Sequence, residues 1–315
     1  MIARKAVARK AVAREAVARK AVVRKAVIPI AGLGTRLFPA SHACKKELFP
    51  IVGPDGIARP LLHYQIMDTI AAGIEQICIV VAAGEESLVT DYLRGPGESY
   101  LLRLQRHPDL LLEAENMRAA LERITFAVQT EQEGYGHAVY QSKGFAGGDP
   151  VLLCLGDHLF RGEDESCHIQ LLHAYSMCGG RSVSAVNRIT PAQLMGYGTI
   201  AGRRRRANPD LIDVALIVEK PPVDLARESL LVDGLEDDEF LGWFGMHVLA
   251  PSIFDVLEEM ISNNTRQKGE FQLTYAQELQ RQREGYCALE MTDGRRFDFG
   301  MPQEYVRSVV EFASA

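Results

Sequence analysis

Long apolar runs are missing from this 315-residue chain: the apolar stretch Ile77–Ala83 stops after seven residues. A membrane-spanning helix needs about 18 to 20, so that class is excluded. Cysteine is sparse and unpatterned. The six residues (Cys44, Cys78, Cys154, Cys167, Cys178, Cys287) form no C-x-x-C pair, and a chain this long needs no stapling. A disulfide scaffold is therefore excluded and a reducing cytoplasm is expected. No signal peptide is expected either, because Arg or Lys interrupts the N-terminal apolar residues every few positions. With 47% hydrophobic and 24% charged residues, the composition is that of a globular chain, not a disordered or collagen-like one.

Charge of one sign is unevenly spread. Residues 3–27 are five tandem pentapeptides (ARKAV, ARKAV, AREAV, ARKAV, VRKAV); residues 1–25 carry nine Lys/Arg against Glu15, a net +8 in front of a body at −14. A period of five spreads its valines around a helix at about 100° per residue and alternates them across a strand, so it encodes no packing face. Residues 1–24 are read as an exposed extension grown by duplication. A cationic arm for nucleic acid is the alternative.

From Lys25 onward, short β-branched runs alternate with helical patterns. Strands are expected at Ala26–Ala31, Gln76–Ala82, Thr125–Gln129, Val151–Leu155 and Ser182–Asn187. Helices are expected at Pro60–Ala72, Ser87–Leu93, Asp109–Arg123, His137–Phe145 and Glu165–Cys178. This predicts an α/β fold with a mostly parallel sheet covered on both faces. Beyond residue 190 the strands Thr199–Ala201, Val214–Glu219 and Phe244–Leu249 and the helices Pro251–Ile261, Thr274–Arg283 and Gln303–Ala313 suggest a smaller subdomain. Gly202–Asp210, with its four arginines, and Leu231–Glu239 read as loops.

The segment Ala31–Pro50 carries the chemistry. Gly32 and Gly34 directly follow a buried strand, where unobstructed backbone N–H groups can approach a phosphate. A dinucleotide fingerprint is excluded because Leu37 stands where its third glycine belongs, and no G-x-x-x-x-G-K-[ST] loop occurs. What remains is a glycine loop flanked by Arg36 and Lys46. Two cations suit a triphosphate, Arg as a fork and Lys as a point charge.

These residues resemble the sugar-1-phosphate nucleotidylyltransferases, and among them the bacterial UTP–glucose-1-phosphate uridylyltransferases. The resemblance runs from Lys25 to about Ala313 through KAVIPIAGLGTRLFPA, KELFPIV, PLLHYQIMDTIAAGI, GYGHAVYQ, GDHLF, GYGTI, IVEKP, GEFQLT and DFG, in that order. It implies a Rossmann-like fold of the nucleotide-diphospho-sugar transferase type, with about residues 25–190 on the nucleotide and 191–315 on the sugar. The implied reaction joins UTP and glucose 1-phosphate into UDP-glucose and pyrophosphate with Mg²⁺, in a homo-oligomer. The nucleophile is already an anion near neutral pH, so catalysis reduces to positioning and charge neutralisation.

The resemblance assigns Ala31, Gly32, Leu33, Gly34, Gln129, Gly134 and Gly136 to the nucleotide, with Gln129 on the uracil edge and Arg36 and Lys46 on the β- and γ-phosphates. Asp157, at the carboxyl end of a strand, becomes the leading metal ligand and Asp298 the second. Glu219 takes the sugar hydroxyls and Lys220 the sugar phosphate, with His158, Gly198 and Gly245 beside them and Trp243 or Phe244 as a wall. Arg36, Lys46, Asp157 and Lys220 would carry catalysis. His137 reads as a helix-start residue and Cys44 as a plain free thiol.

Two departures stand out. Gly156, not proline, precedes Asp157, a habit of adenylyl- and thymidylyltransferases, which keeps dTTP open as the nucleotide. The link Gly53–Pro60 is longer than usual and lacks its lysine; it could form a hairpin beside the site, with Arg59 standing in. A non-catalytic binding module on the same fold is the reading from another class, although every charged position the mechanism requires is present.

Overall fold

The computed structural model describes residues 22–315, so the expected N-terminal extension lies almost wholly outside the described residues. The strands are β1 (Lys25–Pro29), β2 (Pro50–Val52), β3 (Ala58–Pro60), β4 (Gln76–Ala82), β5 (Ile124–Gln129), β6 (Val151–Cys154), β7 (His158–Gly162), β8 (Val183–Ile189), β9 (Gly198–Arg205), β10 (Asn208–Glu219), β11 (Phe240–Leu249), β12 (Cys287–Glu290) and β13 (Gly294–Asp298). Nine of them form one sheet in the order β5-β4-β1-β6-β11-β8-β12-β10-β9. All run the same way except β10 and β11, which are antiparallel to their neighbours.

The apolar runs do not alternate because both faces of these strands are covered. Ala26, Ile28, Ile77, Ile79 and Leu152 pack on one side against the helices Leu61–Ala71, Glu86–Arg94, Pro108–Leu121 and Cys167–Met177. Val27, Cys78, Val80 and Leu153 point the other way, into Val139, Phe254, Leu257 and Phe271 from the opposite layer. The parallel strands β1, β5 and β6 therefore deliver Ala31, Gln129 and Asp157 to one edge of the sheet, where open α/β sheets bind ligands.

A second, two-stranded sheet completes that edge. β7 and β13 pair antiparallel with His158 opposite Asp298. The last helix, Pro302–Phe312, secures the pair by burying Phe312 edge-on against Phe297 (5.3 Å) and Tyr64 (5.1 Å).

Two sequence expectations change, and a third is filled in. The arginine run is not a loop: β9 extends through Arg205 and β10 begins at Asn208. A strand tolerates these charges because Arg205 pairs with Asp213 (2.7 Å) and Arg204 Nε donates to the Asp233 carbonyl (2.6 Å). The expected helix His137–Phe145 splits into Tyr135–Tyr140 and Lys143–Ala146, where the Ser142 hydroxyl donates back to the Val139 carbonyl at 2.7 Å. The long link does form a hairpin, β2–β3, the form the sequence left open.

Candidate active site

Beyond β1 the chain turns over the sheet edge. Gly34 takes φ +65°, and a Cβ there would come 3.1 Å from Ser41 Cβ, so glycine lets the loop close onto the segment that carries Lys46. Ala31, Gly32, Lys46, Gln129, Gly134 and Asp157 line one cleft of about 290 Å³. A neighbouring hollow of about 700 Å³ shares Gly32 and Lys46 with it and adds Leu33 and the exposed Cys44. Arg36, on the short turn Thr35–Leu37, is exposed and lines neither.

Charges of both signs meet at the cleft floor. Lys46 Nζ donates to Asp157 Oδ2 at 2.5 Å, His158 Nδ1 lies 2.8 Å from Asp157 Oδ1, and His158 Nε2 lies 3.5 Å from Asp298 Oδ2. Burial opposes ionisation of Asp157, but His158 and Lys46 outweigh it and hold the carboxyl well below its usual range. Asp298 is lowered in the same way against burial, by its bond to His158. Burial also opposes charge on His158 and Lys46, yet the Asp157 and Asp298 carboxylates push the His158 pKa up, and those of Asp157 and Glu47 raise that of Lys46. His158, expected on the sugar phosphate, instead bridges the two aspartates.

The sequence assigned no role to Glu47. It lines the cleft at 2% exposure, and its Oε2 has no hydrogen-bond partner. Burial pushes its pKa up to about 7, against the pull of Lys46.

At the end of β5, Gln129 is buried and its Nε2 donates to the Gly134 carbonyl at 3.2 Å. Gly134 takes φ +111° and lies against Glu270 and Phe271. Gly136 is buried beside the same segment: its N–H donates to the Phe271 carbonyl at 2.8 Å, and a Cβ would stand 2.6 Å from that oxygen. Gly136 thus answers to chain packing where ligand access was expected. Gly136→Ala should destabilise the fold by about 1–3 kcal/mol through this overpacking, read as a lowered unfolding midpoint in urea. His137 sits inside the start of its helix and lies 3.0 Å from the Glu131 carbonyl, tying down the loop before it.

A second cluster lies on the other half of the sheet. Lys220 adopts φ +49°, rare for a residue with a side chain, and this breaks the alternation of β10 so that Lys220 Nζ and Glu219 Oε1 lie 3.6 Å apart. Thr274 donates to Glu219 Oε2 at 2.7 Å. Gly198 has no room for a Cβ, which would come 2.5 Å from the Trp243 ring. Trp243 is thus packed beneath this cluster, whereas Phe244 is core, 5.3 Å from Phe160. Gly245 takes φ +106° at a break in the β11–β8 register, and its carbonyl accepts from the N–H of Leu155, a cleft residue. Among the described residues, no hydrogen bond joins the Glu219–Lys220 cluster directly to Lys46, Asp157 or Asp298.

Arg59 does not stand in for a missing cation. Its guanidinium forks onto Glu113 (2.5 and 3.0 Å) and reaches Asp55, with Tyr64 beside it, and Arg59 and Glu113 line a hollow that shares no residue with either cleft. Arg59→Ala should cost stability, about 1.5–3 kcal/mol for a hydrogen-bonded ion pair, while leaving turnover within twofold. A large loss of turnover at unchanged stability would return Arg59 to the site.

The candidate donors for a metal are two carboxylates, Asp157 and Asp298. No three His, Cys, Asp or Glu side chains converge as a complete chelate among the described residues, but Mg²⁺ commonly takes one or two carboxylates and finishes its shell with phosphate oxygens and water. Asp157 and Asp298 border one space: a Cβ on Gly300 would stand 2.5 Å from Asp157 Oδ2 and 3.3 Å from Asp298 Oδ1. With both carboxyls held ionised, these residues fit the ion.

Residues 25–309 match the family model described as nucleotidyl transferase. A Staphylococcus saprophyticus protein named UTP–glucose-1-phosphate uridylyltransferase 2 is 31% identical over 291 residues, covering 91% of this chain and 90% of its own length. A Pseudomonas aeruginosa UTP–glucose-1-phosphate uridylyltransferase is 31% identical, covering 89% of this chain and 92% of its own. The structure of a UTP-bound UGPase from Acinetobacter baumannii superposes with a TM-score of 0.74 at 26% identity, over 92% of this chain and 93% of that one.

Proposed function

This chain belongs to the nucleotidyl transferase family, and from that premise we propose that it transfers the uridylyl group of UTP to glucose 1-phosphate, releasing pyrophosphate and UDP-glucose. The observation that carries the reading is Lys46 paired with Asp157 beneath a glycine loop, in a chain 31% identical to uridylyltransferases along nine-tenths of its length.

A phosphate oxygen of the sugar substrate attacks the α-phosphorus in line, and the bond to the β-phosphate oxygen breaks with its electron pair leaving on pyrophosphate. No proton need be removed from the nucleophile, so the protein's work is placement and neutralisation of charge. In this reading Lys46 turns from Asp157 to the leaving phosphates and the exposed Arg36 closes on them from the loop. Gln129 meets the base, Lys220 holds the sugar phosphate and Glu219 the sugar hydroxyls. Asp157 and Asp298 would hold Mg²⁺, which when bound neutralises phosphate charge and polarises the α-phosphorus. The division into a nucleotide half and a sugar half belongs to the same proposal, as do a cytoplasmic location and a homo-oligomeric state. Among the described residues, no helix is long and apolar enough to cross a membrane.

The glycine before Asp157 does not argue for dTTP. A Cβ on Gly156 would come 2.7 Å from the Pro29 carbonyl, so packing against β1 accounts for it and the base does not enter. The test is pyrophosphate release with Mg²⁺, crossing UTP, dTTP, ATP, CTP and GTP with glucose 1-phosphate and other sugar 1-phosphates. Preference for UTP with glucose 1-phosphate supports the assignment; preference for another pair, or no release with any, overturns it.

A further inference from the structure

A uracil edge presents an N–H between two carbonyl oxygens, so a site that reads it needs an acceptor and a donor side by side. Gln129 has already turned its nitrogen inward, 3.2 Å from the Gly134 carbonyl and 3.2 Å from His137 Nδ1, at 4% exposure. Its oxygen makes no hydrogen bond within the described residues and is the acceptor it can offer. The donor facing the cleft is another amide: Gln132 lines the same cleft, is exposed, and donates from Nε2 to the Ala31 carbonyl at 2.8 Å, bridging the base loop to the glycine loop.

We propose that Gln132 is a second base-reading residue, which releases the Ala31 carbonyl as UTP enters and donates to a uracil carbonyl oxygen. The inference rests on the UTP reading above and deepens it. The exchange keeps the Gln132 donor bonded: it trades the Ala31 carbonyl for a uracil carbonyl oxygen, while the Gln129 oxygen accepts from the uracil N–H. The Gln132 donor is paired in both states, which makes the contact a resting position for the side chain and adds no barrier comparable to burying an unmet donor. Gln132 is solvent-exposed and packs in no hydrophobic cluster, so its replacement does not open a cavity.

The test is steady-state kinetics and UTP binding for the wild type, Gln132→Ala and Gln132→Glu. Losing one neutral hydrogen bond should raise KM and Kd for UTP about 3- to 10-fold in Gln132→Ala, with kcat and the KM for glucose 1-phosphate within twofold of wild type. Gln132→Glu keeps the size but removes the donor and adds an anion near the phosphates, so its loss should be at least as large. Unchanged or tighter UTP binding in both variants overturns the proposal. A wild type that makes no UDP-glucose sinks the UTP reading itself, before the variants are compared.

Discussion

Lys46→Met should lower pyrophosphate release by about two to three orders of magnitude in kcat, the loss typical when one preorganised charge donor is removed from a transition state. The aliphatic stem is kept and only the ammonium goes, so the effect reports charge. The protein should remain folded. Asp157 keeps its bond to His158 (2.8 Å), and Glu47, already pushed up to about 7, takes a proton more readily once the neighbouring cation is gone. Circular dichroism and urea unfolding check the fold, and pyrophosphate release checks the rate. A variant within threefold of wild type would remove Lys46 from the mechanism and leave it as a structural partner of Asp157.

The second large effect belongs to Asp157. Asp157→Asn preserves shape and can still accept from Lys46, but it withdraws a charge that the fold works to maintain, against burial, through His158 and Lys46. Turnover should fall by two orders of magnitude or more, and the Mg²⁺ concentration for half-maximal rate should rise, because one of two carboxylates bordering the proposed ion site is gone. The metal titration separates two roles. A drop in rate with an unchanged Mg²⁺ dependence would mean that Asp157 serves only to place Lys46. The His158 pKa, raised by this carboxylate, should drop in the variant, and NMR titration of the imidazole reads that directly.

Much of the cleft that holds Lys46 and Asp157 was legible in the sequence, because its signals are local. A glycine loop after a buried strand, and a Gln and an Asp at the ends of later strands, fall on one edge once the strands are parallel. The burial of successive residues on opposite faces explains why the strand runs lacked alternation and could still be recognised. Other elements were missed for equally physical reasons. β7, β12 and β13 span four or five residues each, too short to show a period, and only the first half of β9 was expected because its last residues are arginines, whose partners Asp213 and Asp233 lie outside the strand. Gln132 stands between Gln129 and Gly134, and Glu47 inside the KELFP motif, but nothing in their spacing says which amide faces the cleft or which carboxyl is buried.

By itself, then, the sequence determined the α/β class, the glycine loop and the order of the charged positions, since each depends on residues close in the chain. Tertiary structure decided which of those charges meet. Asp298 comes to Asp157 only through the β7–β13 register, which the burial of Phe312 holds in place. Gly136 and Gly156 are glycines because of the Phe271 and Pro29 carbonyls, and Arg59 is withdrawn from the site by Glu113. Contacts between distant segments depend on register and packing, and those are properties of the assembled sheet that no local pattern encodes.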